Sequence, residues 1–502
     1  MKKILFAAII LLSYEGLIAQ TPEDALRYSW LQGSGTARSQ AIANANGAIG
    51  GEISTIFSNP GNIGFYKTGD FVITGGLNLN NNTATYFNQS TKENNTSGFL
   101  GTTGFVLGKQ FYGKGSVKSS AFGIAINRTA DFNNSITYRT KASEGGTLVR
   151  TSMADYFIDD LVANGNNGDI NSQLALDVEW VKSNDAGDLS SSAVDLAIAS
   201  GIEQQQTIKT NGGITELGVS GALNLNDKIY IGGTIGMPIL RYGSTKRYAE
   251  QDPDIDNGTN GFDAAWLDED LVTKGAGINI KAGIVFKATD NFRVGFAAHS
   301  PTFYTLEDSY WSRVGTNLDD ELRGDFEKDQ ETAYNYTLQT PYKLLGSFSL
   351  LFGNVNDVSS QKGFLSGDVE YVNYMTSAFR NRDGDPSYDN YFKNLNIAID
   401  DAYKGAVNAR LGAELKFNTF MFRLGGAYYG NPYKDLAGEE GQIIQATSGL
   451  GYRNKGFFID LGYVHSIGKD VVFPYRLTSA PFSPATIKNS NSRILLTLGF
   501  KI

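Results

Sequence analysis

A two-residue period of apolar side chains runs through most of this chain, and no other feature restricts its fold so tightly. The last nine residues show it most plainly. Ile494, Leu496, Leu498, Phe500 and Ile502 fall on one face of an extended strand, and Leu495, Thr497, Gly499 and Lys501 on the other. A pleated strand turns successive side chains to opposite faces, so this segment carries one apolar face to its last residue. The same alternation recurs over 71–79, 122–126, 217–225, 229–237, 278–286, 292–296, 369–371, 407–415, 420–424 and 457–461, and more weakly over 99–107, 343–352 and 443–452. With the closing segment the total is about 14 strands, an even number, as in single-chain membrane barrels.

Alternation alone fits two architectures. Lys281, Arg293, Asp368, Glu370, Arg410, Glu414, Arg423 and Asp460 sit mid-strand opposite apolar faces. In a soluble sandwich these charges would face water and the apolar residues the core; in a membrane barrel they would face a wet lumen. Connection lengths separate the two. Short links at 225–228, 288–291, 417–419 and 453–456 alternate with long ones near 130–204, 241–272, 301–336, 376–403 and 465–491. Short turns at one end and long loops at the other are the asymmetry of outer-membrane barrels. The fold class expected is therefore all-β, a transmembrane antiparallel barrel of about 14 strands, the one β-architecture that spans lipid without an unpaired edge.

Composition agrees. Charged residues make up 19% of the 502, below the roughly 25% of ordinary soluble domains, while Gly (58) and aromatics (12%) are plentiful. A mean hydropathy of −0.23 argues against a helical membrane protein but not a barrel, whose polar lumen offsets its lipid face. Lys2-Lys3 followed by an apolar run over 4–12 reads as a secretory leader, cut before Gln20 and too short to span as a helix. With no cysteine, a lipid-anchor cysteine, thiol chemistry and disulfides are excluded. A net charge of −9 argues against a nucleic-acid partner. Aromatics near strand ends (Phe65-Tyr66, Phe111-Tyr112, Tyr310-Trp311, Tyr371 with Tyr374, Tyr428-Tyr429, Phe473 with Tyr475) suggest interfacial girdles.

Between leader and first strand lies a stretch without strand pattern. Gly35-Thr36-Ala37-Arg38, the small residues from Ala41 to Gly51, and Ser54-Thr55-Ile56-Phe57-Ser58-Asn59-Pro60-Gly61-Asn62-Ile63-Gly64 resemble the N-terminal hatch of the FadL/TodX-type outer-membrane transport family. Asn-Pro-Gly stands here where that family has Asn-Pro-Ala. The resemblance implies a leader over 1–19, a hatch over 20–66 inside the lumen, and a barrel with long extracellular loops over 67–502. It implies an outer-membrane channel in a diderm bacterium for long-chain fatty acids or aromatic hydrocarbons, with ligand leaving sideways at a kinked strand. The turn chemistry suits a hatch: Pro60 fixes φ, Gly61 tolerates positive φ, and Asn59 bonds its own backbone. Phe57, Asn59, Pro60, Gly61 and Asn62 are accordingly the expected ligand-binding and gating residues.

The longest loop holds a helical pattern over 151–164, with Met153, Tyr156, Phe157 and Leu161 on one stripe, and a second over 192–202. The family uses apolar outer loops as a landing site, so these four are the expected capture residues, with loop self-packing the alternative. A Ser/His hydrolase is disfavoured, since His299-Ser300 and His465-Ser466 turn adjacent side chains to opposite faces and no nucleophile elbow is present. Haem ligation has no grouped second ligand. The 252–258 acidic stretch places Asn257 and Asp263 where an EF-hand needs Gly and Glu. We therefore expect no enzyme, cofactor or metal. The expected partners are a hydrophobic small molecule and outer-membrane lipid, with the protein a monomer. The alternatives carried forward are a non-transport surface barrel, such as an adhesin or haemin receptor, and a general porin.

Overall fold

A computed structural model describes residues 20–164, 168–183, 189–190, 201–253, 261–318, 325–353, 361–382, 384, 386–434, 440–477 and 484–502. The leader over 1–19, nearly all of the second helical pattern and most of the 252–258 stretch lie outside the described residues.

Fourteen antiparallel strands form one closed barrel. In chain order they are β1 (Asp70–Tyr86), β2 (Gln89–Leu100 and Thr103–Gln110), β3 (Val117–Asp131 and Asn134–Arg139), β4 (Glu203–Leu225), β5 (Ile229–Gln251), β6 (Ala264–Lys287) and β7 (Phe292–His299 and Phe303–Asn317). There follow β8 (Asp325–Gln339 and Lys343–Gly353), β9 (Gln361–Asn373 and Ala378–Asn381), β10 (Gly405–Phe417), β11 (Phe420–Tyr429), β12 (Ile443–Asn454), β13 (Phe457–Val472) and β14 (Ala485–Lys501). Each strand pairs with the next, and β1 pairs with β14 from Asp70↔Lys501 to Thr85↔Thr486, which closes the cylinder.

Burial decides barrel over sandwich. The apolar faces are the exposed ones: Leu424 is 68% and Phe296 60% accessible, whereas Arg423 and Asp460 on the opposite faces are 2% and 1%. On β5 the exposed apolar residues run from Ile229 to Ile239. Allowing for strand tilt, that is a belt roughly 25 Å tall, the lipid-facing height of an outer-membrane barrel.

Two of the long loops read from the sequence, 241–272 and 301–336, are largely strand among the described residues. β5 and β6 have 23 and 24 residues, and their ladder continues from Ala276↔Ile239 up to Ala264↔Gln251. About 9–11 residues suffice to span. Above the belt the outer face meets water instead of lipid, so the outward apolar alternation stops while the backbone pairing goes on. The aromatic pairs also divide between faces. Tyr428 faces out, but Tyr429 is buried and its hydroxyl accepts from Gly33 N at 2.8 Å; Phe65 stacks on Tyr230 inside, with centroids 3.6 Å apart.

Residues 20–66 fill the lumen. They contain α1 (Pro22–Arg27), α2 (Ala37–Ala41) and two 3-10 turns, Ile53–Phe57 and Pro60–Phe65. Outside, α3 (Met153–Ala163), α4 (Ile170–Asp177) and α5 (Asp389–Ala402) fold over the mouth.

Candidate functional site

The lumen is layered. At the outer mouth, α3, α4 and Trp180 pack with Tyr86, Tyr138, Tyr248 and Tyr475 from the strand ends into an apolar cap. Ser152 caps α3 through its hydroxyl, at 3.0 Å from Ala154 N, and Glu250 beneath accepts from Ser152 Oγ, Met153 N (3.2 Å), Trp180 Nε1 (3.0 Å) and Tyr248 OH (2.9 Å). Burial pushes the Glu250 carboxyl up to about 7 despite these bonds. Below the cap, α1 and α5 meet an aromatic layer of Tyr28, Tyr242, Tyr304, Tyr336, Tyr374 and Phe379.

Beneath that layer lies a cavity of about 120 Å³. Its roof is Tyr28, Leu31, Ile214 and Tyr304; its wall carries Glu216, Lys281, His299, Lys343, Glu370 and Arg410. Typical ligand pockets are roughly 300–1,000 Å³, so this cavity is smaller than a whole-ligand site. Ladder register aligns the basic groups: Lys281 pairs with His299, and His299 with Lys343, across β6, β7 and β8. Lys281 is ion-paired with Glu216, and Arg410 with Glu370 at 3.0 Å. Lys343 has no ion pair or hydrogen bond among the described residues. His299 Nε2 lies 2.6 Å from the Ser58 carbonyl, so this nitrogen carries the proton and donates to the floor.

The floor is the turn expected to gate. Asn59 Nδ2 donates to Gly47 O (2.7 Å) and to Ile284 O of β6 (3.2 Å), while its Oδ1 accepts from Gly61 N (3.1 Å). Asn62 donates to Gly47 O (2.8 Å) and accepts from Gly50 N (2.8 Å). Pro60 and Gly61 are buried, and Phe57 and Ser58 line the cavity. Gly61 is not in the left-handed region. Its need is space, because a Cβ would stand 3.0 Å from Tyr230 O and 3.1 Å from Gly283 O.

Close approach governs the rest of the seat. α2 and its continuation lie directly on Gly412, Gly425, Gly449 and Gly462 of β10 to β13; a Cβ on Gly449 would come within 2.5 Å of Ala41 Cβ. Buried ions add to it: Arg38 Nε donates to Glu414 (3.1 Å), and Arg423 to Glu414 and Asp460 (2.6 Å each).

The expected capture residues lie elsewhere. Met153, Phe157 and Leu161 are in the core of the cap, with Tyr156 packed at its side. The structure thus separates the two predicted groups, with the aromatic layer between them. Tyr28, Glu216 and Lys343, which complete the cavity, were not singled out as site residues; only strand register brings Lys343 beside His299.

Among the described residues the pairing is broken between β2 and β3. β2 over 103–110 pairs with β3 over 119–126, but among the described residues no backbone pairing joins 89–100 to 127–139. A Thr102 Oγ1 to Asn127 Oδ1 bond (2.9 Å) closes the gap below, and Thr91 bonded to the Thr137 carbonyl bridges it above. Asn127 lines the cavity and donates to Ser34 of the plug at 2.8 Å. The gap begins at the outer rim of the apolar belt, where Leu77 and Leu100 face outward, and continues above it past Thr96, Asn94, Lys92 and Ser90.

No protein-family model matches the sequence, and no curated protein does. Solved structures do match. A Pseudomonas aeruginosa FadL homologue superposes with a TM-score of 0.55 at 12% identity over 94% of this chain and 99% of that one. The P. putida toluene transporter TodX gives 0.54 at 12% identity over the same shares. Fourteen strands, a lumen-filling N-terminal segment and these superpositions establish that the chain has the fold of the FadL/TodX-type outer-membrane channels.

Proposed function

We propose that this protein is an outer-membrane channel for hydrophobic small molecules, plugged by residues 20–66 and processed from a leader over 1–19. The observation that carries this reading is the gap between β2 and β3. The glycine-seated plug obstructs the axial route, and the lower end of the gap meets the rim of the apolar belt. A molecule leaving there enters the bilayer, which favours an apolar solute by ~0.8 kcal/mol per CH₂ buried and penalises a polar one.

The unpaired Lys343 under an aromatic roof favours the acid branch of this class. A carboxylate would sit at Lys343 and the chain would lie against Tyr28, Leu31 and Tyr304. In this reading Met153, Tyr156, Phe157 and Leu161 form a greasy lid that ligand parts on entry, and the Phe57–Asn62 turn is the floor whose shifts gate the cavity. The protein works as a monomer surrounded by lipid and performs no covalent chemistry.

The test uses a deletion strain and a double variant, Leu100→Cys with Arg128→Cys, whose outward-facing positions flank the gap. The chain has no native cysteine, so a bismaleimide joins only these two. Wild type should restore uptake of radiolabelled oleate with no change in entry of a small sugar, and cross-linking should abolish the restored uptake. Full oleate uptake in the cross-linked protein would refute the lateral route.

A further inference from the structure

Gln20 is the first described residue, and it is sealed inside the lumen. It is 3% exposed, above the cavity and against α5, where Tyr391 OH donates to its carbonyl at 2.6 Å. Its side-chain Nε2 donates to Asp308 Oδ2 at 2.7 Å. Asp308 is 1% exposed and also accepts from Thr273 Oγ1 (2.6 Å) and Tyr336 OH (3.1 Å).

All three donors to Asp308 are neutral. Among the described residues no Lys, Arg or His comes within ion-pair distance of it. The adjacent carboxylate, Asp24, is satisfied: Arg27 pairs with it, and Thr21 N donates to it at 2.9 Å. The surrounding wall is Tyr242, Tyr304, Leu306 and Tyr336. Two buried carboxylates therefore share one guanidinium, and the aromatic shell is short of one positive charge. A buried carboxylate without a counter-ion is costly, and natural interiors pair such groups.

We propose that the missing cation is the α-ammonium of Gln20, created when the leader is removed. Hydrolysis of the Ala19–Gln20 peptide bond consumes one water, leaves a carboxylate on Ala19 and frees an α-amine on Gln20 that is protonated at neutral pH. Gln20's side chain already reaches Asp308, so the new terminus lies in the same buried shell. Processing thus builds an internal ammonium–carboxylate site that fixes the start of the plug beneath the cap. The site also explains why glutamine is tolerated at a free terminus. Cyclisation of Gln20 would expel the side-chain nitrogen as ammonia, removing both the ammonium and the Nε2 bond to Asp308.

Protein purified from outer membranes, checked for a folded barrel by its heat-modifiable gel mobility, tests this. Sequencing of the N-terminal peptide should return Gln20 with a free α-amine. An amine-reactive ester at pH 7 should label that amine at least tenfold more slowly in the folded protein than after denaturation. In Asp308→Asn the protection should fall severalfold, whereas Tyr336→Phe, which removes a neutral donor, should leave it within twofold. A terminus at another residue, a lactam at Gln20, labelling at the denatured rate, or protection equal in Asp308→Asn and wild type would each overturn the proposal.

Discussion

Replacing Lys343 by Met removes one charge from the cavity and little volume, and it separates an acid-binding channel from a hydrocarbon channel. The other wall cations are spoken for: Glu216 holds Lys281 and Glu370 holds Arg410. Lys343 has already been desolvated by folding and feels Glu370 only through space, without an ion pair or hydrogen bond, so a ligand carboxylate would be its first direct partner. A hydrogen bond to a charged partner is worth about 1.5–3 kcal/mol, which at ~1.4 kcal/mol per decade is a roughly 10- to 100-fold change in Kd. Oleate binding to detergent-solubilised Lys343→Met, measured by isothermal titration, should weaken by that factor. Methyl oleate, which lacks the charge, should bind both proteins within twofold. Stability should change little, because the variant removes a desolvated cation with no direct partner. Oleate affinity within twofold of wild type, or an equal loss for the methyl ester, would refute the headgroup assignment.

Arg423→Ala should behave oppositely in stability. It strands Asp460 and leaves Glu414 to Arg38 alone, and breaking a buried ion pair from one side costs about 3–5 kcal/mol; urea unfolding in lipid vesicles would measure this, and a loss below ~1 kcal/mol would contradict the pairing. Asn59→Ala removes the bonds to Gly47 and Ile284, about 1–3 kcal/mol of local hold. It should raise ion conductance in planar bilayers and alter uptake while the barrel still assembles. Glu250 lies above the belt with its carboxyl pushed up to about 7 by burial. A raised acid favours the closed, protonated cap, so the cap should loosen as pH rises from about 4 through 7 and change little beyond. Limited proteolysis of the 140–202 segment across that range reads it out, and Glu250→Gln should flatten the profile.

Strand number and facing were legible in the sequence because lipid imposes one rule on every residue of the belt: Ile278, Ile280 and Ile284 face out and Lys281 inward, as their alternation says. Where lipid ends, so does the code, and the upper halves of β5 to β8 looked like loops. The cavity was partly legible: Lys281, Glu370 and Arg410 were placed on the lumen face, but which charges neutralise each other depends on ladder register. The glycine seat was invisible, because Gly412, Gly425, Gly449 and Gly462 sit far from the plug in sequence and are indistinguishable there from turn or packing glycines. The stripe on α3 was read correctly as apolar, and the structure shows what one sequence could not, that its partner is the cap itself.

The seam between β1 and β14 gives the molecule an order of construction. The plug is synthesised before the barrel and leads through Tyr66 straight into β1, while the strand that closes around it is synthesised after the other thirteen. Ile502 itself finishes the joint, exchanging backbone bonds of 3.0 and 2.8 Å with Gly69 at the foot of the plug. A stopper seated on bare wall and overlain by a folded cap is not easily threaded into a finished cylinder. It must be lying in place when the two edges meet. A chain shortened by its final strand would therefore lose more than a stave: the open edges would leave the plug without its enclosure, and a barrel that closed around an empty lumen would be an unregulated hole in the membrane.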